Sequence, residues 1–464
     1  MQQLITEFLQ STFLFSGFPY SSNALFEREP LVTWELPEPL QHLLLSCSKI
    51  LHTDDDAVVV TTTNTTMTMG IIPLDPGFWI CTFVLLSLQA LMNMTVALVT
   101  YFAIVQTQDD STRLLIGYGV LVPCLLILPP VLCAYYVEFQ SLTLMLCLLG
   151  GMPNKLALAV IEAIHQCLPT YATTHQDKRM LVLYFSSTLQ LKFDPHTHRP
   201  VPFTPTIFWN KLASFMTVFV QTSLLFSLLL PYNYQVFPQH HTNTSILGTL
   251  VNLYSWGNLA NGFLMASITS LVLDGGASGL GLVTSICTGY TMEDFSDAPL
   301  TSCTSVSDFW RKWDRPVQSS LRNGCYRPLR KATLSSSMAA VGTFVASGLI
   351  HEYMVAFMTL VKRDTPYQPA YGNQFLFFLW NAVVMMLERY YYSPWFSASA
   401  VVNNSGTSSN KWYHLPQPIR TALVLLTVLP IAFLFTDEYV QSSFYTDAVW
   451  AFPLVVVKTT TRQP

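Results

Sequence analysis

Apolar residues in this chain come in long runs rather than in alternation. No Asp, Glu, Lys or Arg occurs between Asp75 and Asp109, between Arg113 and Glu138, or between Lys211 and Asp274. A helix of about 20 apolar residues crosses the hydrocarbon core of a bilayer, so runs of this length predict membrane spans. The pattern places them at 78–105, 113–136, 140–165, 207–231, 246–273, 337–361, 371–388 and 418–436, about eight in all. The third is interrupted by Gly150-Gly151-Met152-Pro153-Asn154 and carries Lys155 and Glu162. Two more segments, 275–290 and 440–457, read as re-entrant or additional spans. Residues 1–75 hold acidic Asp54-Asp55-Asp56 and a Thr-rich tract from Thr61 to Thr68. They read as an N-terminal extension with some helix and a flexible linker, leaving 76–457 as a transmembrane domain. No internal repeat is visible.

Composition agrees with the pattern. Of 464 residues, 51% are hydrophobic and 11% charged, against roughly 25% charged in soluble domains. The class is a polytopic α-helical membrane protein. Its net charge of −4 says little, because orientation follows where Lys and Arg lie. They concentrate in two loops. One, 166–206, has Lys178, Arg179, Lys192 and Arg199; the other, 289–334, has Arg311, Lys312, Arg315, Arg322, Arg327, Arg330 and Lys331. The stretch from Pro231 to Ser245 between them has neither Lys nor Arg and contains the sequon Asn243-Thr244-Ser245. The positive-inside rule puts both basic loops in the cytosol and the 231–245 loop in the lumen. A second sequon, at Asn403, then falls on the cytosolic side and is expected to be unused. No strongly basic surface lies outside these loops, which argues against nucleic acid as a partner. The nine cysteines form no Cys-x-x-Cys pair, so neither a disulfide framework nor a structural zinc site is expected. The N-terminus lacks the basic start of a signal peptide, and insertion is expected to use the first internal span.

Two stretches carry candidate chemistry. In the apolar run from Ser335 to Val361 an ionisable pair, His351-Glu352, intrudes. Such a pair is expensive in a membrane unless it faces a protein interior or a water-filled cavity. On a helix Thr343, Ser347 and His351 share one face, while Glu352 points about 100° away. Ser347 either orients the imidazole or, being small, allows close helix packing; Glu352 is assigned packing or support. An interior histidine that serves only packing is the alternative for His351 itself. The second stretch is Ser307-Asp308-Phe309-Trp310-Arg311-Lys312-Trp313-Asp314-Arg315-Pro316-Val317. As a helix it sets Phe309, Trp310, Trp313 and Val317 on an apolar face with cations at its margins, the pattern of an interfacial segment. Its cations suit the phosphates of a coenzyme A thioester, or merely anchor the chain at the cytosolic interface. In the 371–388 run, Asn381 and Glu388 either line the interior or, for Glu388, mark the end of the span; the latter is preferred.

Phe309-Trp310-Arg311-Lys312-Trp313-Asp314, then Leu321 to Leu329, then Ser347-Gly348-Leu349-Ile350-His351-Glu352, together resemble the membrane-bound O-acyltransferase superfamily. The last element looks most like the wax synthase branch, and the motif core is 307–353. Two departures stand out. Asp314 sits where Asn or His is usual, and only Arg311-Lys312 separate the two tryptophans, a spacing closer to the alginate O-acetyltransferase branch. The resemblance implies a helical bundle with an internal tunnel, in the endoplasmic reticulum membrane, that moves an acyl group from acyl-CoA to a hydroxyl. The acceptor it implies is most of all a long-chain fatty alcohol, giving a wax ester, with diacylglycerol, a sterol or a secondary metabolite as alternatives. His351 is then catalytic with Asp314 as its polar partner, and Trp310, Trp313, Arg315 and Ser347 bind substrate. No metal and no bound cofactor are implied; acyl-CoA is the donor substrate, and membrane lipids are the other partners. A neutral imidazole taking the alcohol's proton contributes roughly 10²–10⁴-fold. No Gly-x-Ser-x-Gly element occurs, so direct transfer is the simpler scheme. A membrane transporter is the reading from another class. Pro129-Pro130 and Gly150-Gly151 supply the breaks it needs, but they do not recur in a second half.

Overall fold

Polar caps ahead of the apolar runs start the long helices. The computed structural model describes residues 30–35, 37, 65–136, 146–173, 178–237, 252–333, 335–361, 367–396 and 415–461. Two short strands, β1 (Val32–Glu35) and β2 (Thr65–Ile72), come first. Helix α1 (Pro76–Thr100) begins where the Asp75 carboxylate accepts the Gly77 N–H, with Pro76 at the first helical position. Helices α2 (Asp110–Ile116) and α3 (Val122–Tyr136) are joined by a π turn. After α4 (Met152–Ile164) and α5 (Lys178–Ser186) come α6 (Pro205–Leu229), capped by Thr204, and α7 (Trp256–Thr288), capped by Ser255. Helix α7 ends at Gly289, whose φ of 72° suits glycine at a helix C-terminus. Short helices α8 (Val306–Trp313), α9 (Arg315–Leu321) and α10 (Arg327–Thr333) precede α11 (Ser336–Val361) and α12 (Asn373–Phe396). Helices α13 (Gln417–Val428) and α14 (Phe433–Gln441) lead to the strand β3 (Leu454–Thr461).

Among the described residues five helices are long and apolar enough to cross a membrane: Pro76–Val105, Asp110–Val131, Pro205–Tyr232, Trp256–Thr288 and Ser336–Leu360. Helices α13 and α14, bent by 53° where they meet, make a sixth if counted as one broken span. The chain is a multi-pass, all-α membrane protein with one small sheet.

The expectations change in five places. The 140–165 run contains the short helix α4, which is buried on nearly every side rather than facing lipid; a helix apolar all round belongs inside protein. Its intruding charges are used there. The Glu162 carboxylate accepts the Tyr184 hydroxyl at 2.5 Å, and Lys155 donates to the Ser187 carbonyl. Segment 275–290 is no separate span, because its residues through Thr288 continue α7. Segment 440–457 does not span either: it folds into a helical turn at Phe444–Ala448, a 3₁₀ turn at Val449–Ala451 and β3. The Thr-rich tract is strand from Thr65 onward, with β2 paired antiparallel between β1 and β3. Finally, the 289–334 loop is largely helical. The rest of 1–75 and both sequons lie outside the described residues.

Two faces organise the bundle. Both basic segments are on one face and meet there: Lys192 N–H donates to the Thr291 carbonyl at 2.9 Å, and Gln190 Nε2 to Ser319 Oγ at 2.5 Å. The far end of α6 touches the sheet, where Ser227 Oγ accepts the Val455 N–H at 2.9 Å. Helix α11 leaves the basic face and α12 returns antiparallel to it, with Arg389 on Ser336 near one end and Glu352 on Phe375 near the other. Gly348 makes that approach possible, since a Cβ there would lie 3.1 Å from Phe375 Cα.

Candidate functional site

His351 lies past the middle of α11, about 22 Å along the helix from Ser336. The side chain is half-buried among aromatic rings. Phe378 of α12 stacks on the imidazole at 4.8 Å between ring centres and 19° between planes, and Phe435 of α14 meets it edge-on at 5.0 Å. The Tyr439 hydroxyl, also from α14, lies 3.2 Å from Nδ1. Among the described residues Nε2 has no hydrogen-bond partner. The ring is thus held on three sides with one nitrogen open.

The neighbouring carboxylates are occupied. Glu352 Oε1 accepts the Phe375 N–H at 3.0 Å, in the first turn of α12, where the N–H groups lack intrahelical acceptors. Glu438, beside Tyr439, accepts both the Tyr367 hydroxyl at 2.6 Å and the Ala370 N–H at 2.9 Å, fixing the connection from α11 to α12. Neither is hydrogen-bonded to His351.

From the basic face, α8 reaches the histidine through a single ring. Trp310 packs on Phe378 at 5.6 Å, on Phe344 at 5.8 Å and on Phe377 at 6.0 Å. Its Nε1–H donates to Asn381 Oδ1 at 3.2 Å. Trp313 leans on Phe309 at 5.3 Å, one layer further out. Helix α8 is held by two carboxylates. Buried Asp308 binds Arg311 at 2.5 Å and Lys312 at 3.1 Å. Glu388, from α12, accepts the Ser307 N–H at 3.0 Å. Glu388 therefore does more than end a span: it fixes the start of the motif helix.

The remaining motif residues sit apart from the imidazole. Asp314 stands between α8 and α9, and its Oδ1 accepts the Val317 N–H at 2.9 Å as the N-cap of α9. Burial pushes its carboxyl up to about 7, against that N–H, which lowers it. No hydrogen bond joins Asp314 to His351. Arg315 pairs with Asp297 at 3.2 Å. Ser347 is buried one turn before His351, and its hydroxyl has no partner among the described residues. The structure therefore brings His351, Trp310 and Ser347 toward one region, and sets Trp313, Asp314 and Arg315 on its basic-face rim.

Tyr439 and Phe378 are the residues that sequence reasoning missed. Nothing beside Tyr439 marks it, because Thr436-Asp437-Glu438-Tyr439 reads as the polar end of a span. On α12 the usable signals were Asn381, an amide inside an apolar run, and Glu388 at its end.

Residues 246–396 match the model of the MBOAT, or membrane-bound O-acyltransferase, family. That stretch holds α8, α11, His351 and Glu388. Three curated proteins align with parts of the chain. It is 30% identical over 133 residues to a "Probable long-chain-alcohol O-fatty-acyltransferase 9" of Arabidopsis thaliana, covering 26% of this chain and 38% of that protein. It is 38% identical over 52 residues to diacylglycerol O-acyltransferase 1 of Chlorocebus aethiops, 11% of each chain. It is 28% identical over 144 residues to acyl-CoA–sterol O-acyltransferase 1 of Arabidopsis thaliana, covering 29% of this chain and 36% of that one. The chain thus spans well under half the length of each relative it matches.

Proposed function

We propose that this protein is an acyl-CoA-dependent O-acyltransferase of the endoplasmic reticulum membrane that esterifies a lipophilic alcohol, a long-chain fatty alcohol first of all. The observation that carries the reading is the state of His351: a half-buried imidazole in an apolar helix, anchored through Nδ1, with no partner at Nε2 among the described residues. An imidazole placed only for packing would have little reason to leave a nitrogen open in so apolar a setting. The family match over 246–396 and relatives named for alcohol, diacylglycerol and sterol acylation support the same class.

In this scheme the acceptor hydroxyl gives its proton to His351 Nε2 as its oxygen attacks the thioester carbon. The C–S bond breaks, the ester forms, and the coenzyme A thiolate takes the proton back from Nε2. The donor arrives from the basic face, which is cytosolic. Trp310 and Trp313 line its path, Arg315 takes a phosphate, and Ser347 hydrogen-bonds an oxygen of the reacting groups. Asp314 shapes the rim by fixing the turn between α8 and α9. Diacylglycerol and sterols are the alternative acceptors.

The test is acyl transfer in membranes holding wild-type protein or His351→Ala at matched levels. Labelled palmitoyl-CoA and acetyl-CoA are each offered with hexadecanol, diacylglycerol and a sterol. Ester that forms with the wild type and vanishes with the variant is expected, and the productive pair names the acceptor. Undiminished ester formation by the variant would reject the role of His351.

A further inference from the structure

We infer that Tyr439 is a positioning residue that holds His351 in the tautomer protonated on Nδ1, leaving Nε2 as the basic nitrogen. The inference rests on the acyl-transfer reading above and adds a residue outside the family-matched stretch, on α14 rather than on the motif helices. A phenol next to a neutral imidazole can either donate or accept, and the two arrangements have opposite consequences. If Tyr439 donated to Nδ1, the ring proton would sit on Nε2, and the open nitrogen could not take a proton from an alcohol. If Tyr439 accepts from Nδ1–H, the open nitrogen carries the lone pair.

The proposed reaction selects the second arrangement, since only then can the open nitrogen take a proton. The carboxylates nearest in sequence to the two partners are bonded elsewhere, Glu352 to the Phe375 N–H and Glu438 to Tyr367 and Ala370, and neither is bonded to the imidazole. Tyr439 is buried, and the His351 imidazole is the only partner of its hydroxyl among the described residues. Its ring is fixed by Phe435 at 5.3 Å and Phe444 at 5.5 Å, so the hydroxyl is held in place for the imidazole. As Nε2 takes the alcohol's proton, the ring becomes an imidazolium and the Nδ1–H···O bond becomes charge-assisted and stronger. A contact that strengthens as the transition state forms raises kcat and leaves substrate binding alone.

The test compares Tyr439→Phe with wild type on the productive substrate pair, with His351→Ala alongside. Tyr439→Phe keeps the ring packing and is expected to lower kcat by about 10- to 100-fold, the range for a hydrogen bond to a charged group, with both KM values unchanged. A second variant carries 3,5-difluorotyrosine at position 439, which preserves shape while making the hydroxyl a poorer acceptor and a better donor. Its kcat is expected to fall. A kcat for Tyr439→Phe within twofold of wild type, or a rise with the fluorinated residue, would overturn the inference. Should the Phe variant fold poorly, the fluorinated one decides. If His351→Ala abolishes transfer while Tyr439→Phe does not, this inference alone fails. If His351→Ala stays active, the functional reading fails and takes this one with it.

Discussion

The two approaches to His351 are built on different plans. On the basic face, charge stays at the rim and rings point inward. Asp308 binds Arg311 and Lys312, Asp314 caps α9, Glu388 caps α8, and only Trp310 reaches toward the histidine, through Phe378. On the sheet face, one hydroxyl touches the imidazole directly, and the carboxylate beside it is spent on holding a loop. In the proposed reaction the first plan places the donor, and the second sets which nitrogen bears the proton. A site divided this way lets the rim vary with the ligand while the protonation state of the ring stays put.

The largest effect should come from removing the group both approaches share. His351→Ala is expected to lower acyl transfer by about 10²–10⁴-fold without loss of folded protein, read as ester formed per unit of protein in membranes. Next is the hold of α12 on the motif helix. Glu388→Ala frees the Ser307 N–H and should cost ~1 kcal/mol, seen as a lower melting temperature. It should also raise KM for the donor more than for the acceptor, because α8 lies on the donor side. An equal change in both KM values would erase the distinction between the two approaches.

Asp314 tests the rim by pH. Its folded-state value of about 7 lies above the ordinary 3.8, so the folded protein holds a proton that the unfolded chain gives up. That contribution to stability is complete below about pH 4 and is lost as pH rises through about 7. Asp314→Asn keeps a good N-cap and cannot ionise, so the fall in melting temperature across this window should flatten. An unchanged slope would show that the carboxyl is solvated and that the rim is looser than described. The smallest effect belongs to Arg311→Gln. Its side chain is largely exposed at 71%, so loss of its pair with Asp308 is expected to shift stability by under about 1 kcal/mol and to be masked by salt.

Much of this was legible in the sequence where polar groups interrupt apolar runs. His351, Glu352, Asn381 and Glu388 are expensive at membrane depth, and each turns out to be buried or bonded to a neighbouring element. Helix-start signals were equally visible but outweighed by charge. Ser305 ahead of α8 and Asp314-Arg315-Pro316 ahead of α9 are N-cap patterns, yet the density of Arg and Lys made 289–334 outside 307–317 read as loop. Hydropathy also misjudged 440–457. That segment is apolar because it packs inside the protein, with Tyr445, Val449 and Trp450 all buried. Tyr439 could not be found at all. It lies 88 residues from His351, and a tyrosine near the end of a span ordinarily means an interfacial anchor.

The pairing of β2 with β3 bears on how the molecule is made. It matches Thr65 with Thr461 and Ile72 with Leu454, so a strand just before the first long helix, paired on one side with β1, finds its second neighbour only after nearly every other described element has left the ribosome. Contacts this distant in sequence form late and slowly. During synthesis β2 keeps one open edge on the face away from the basic loops, the kind of template that recruits foreign strands. Assembly thus has a vulnerable interval as long as the translation of the whole bundle, closed by residues 454–461.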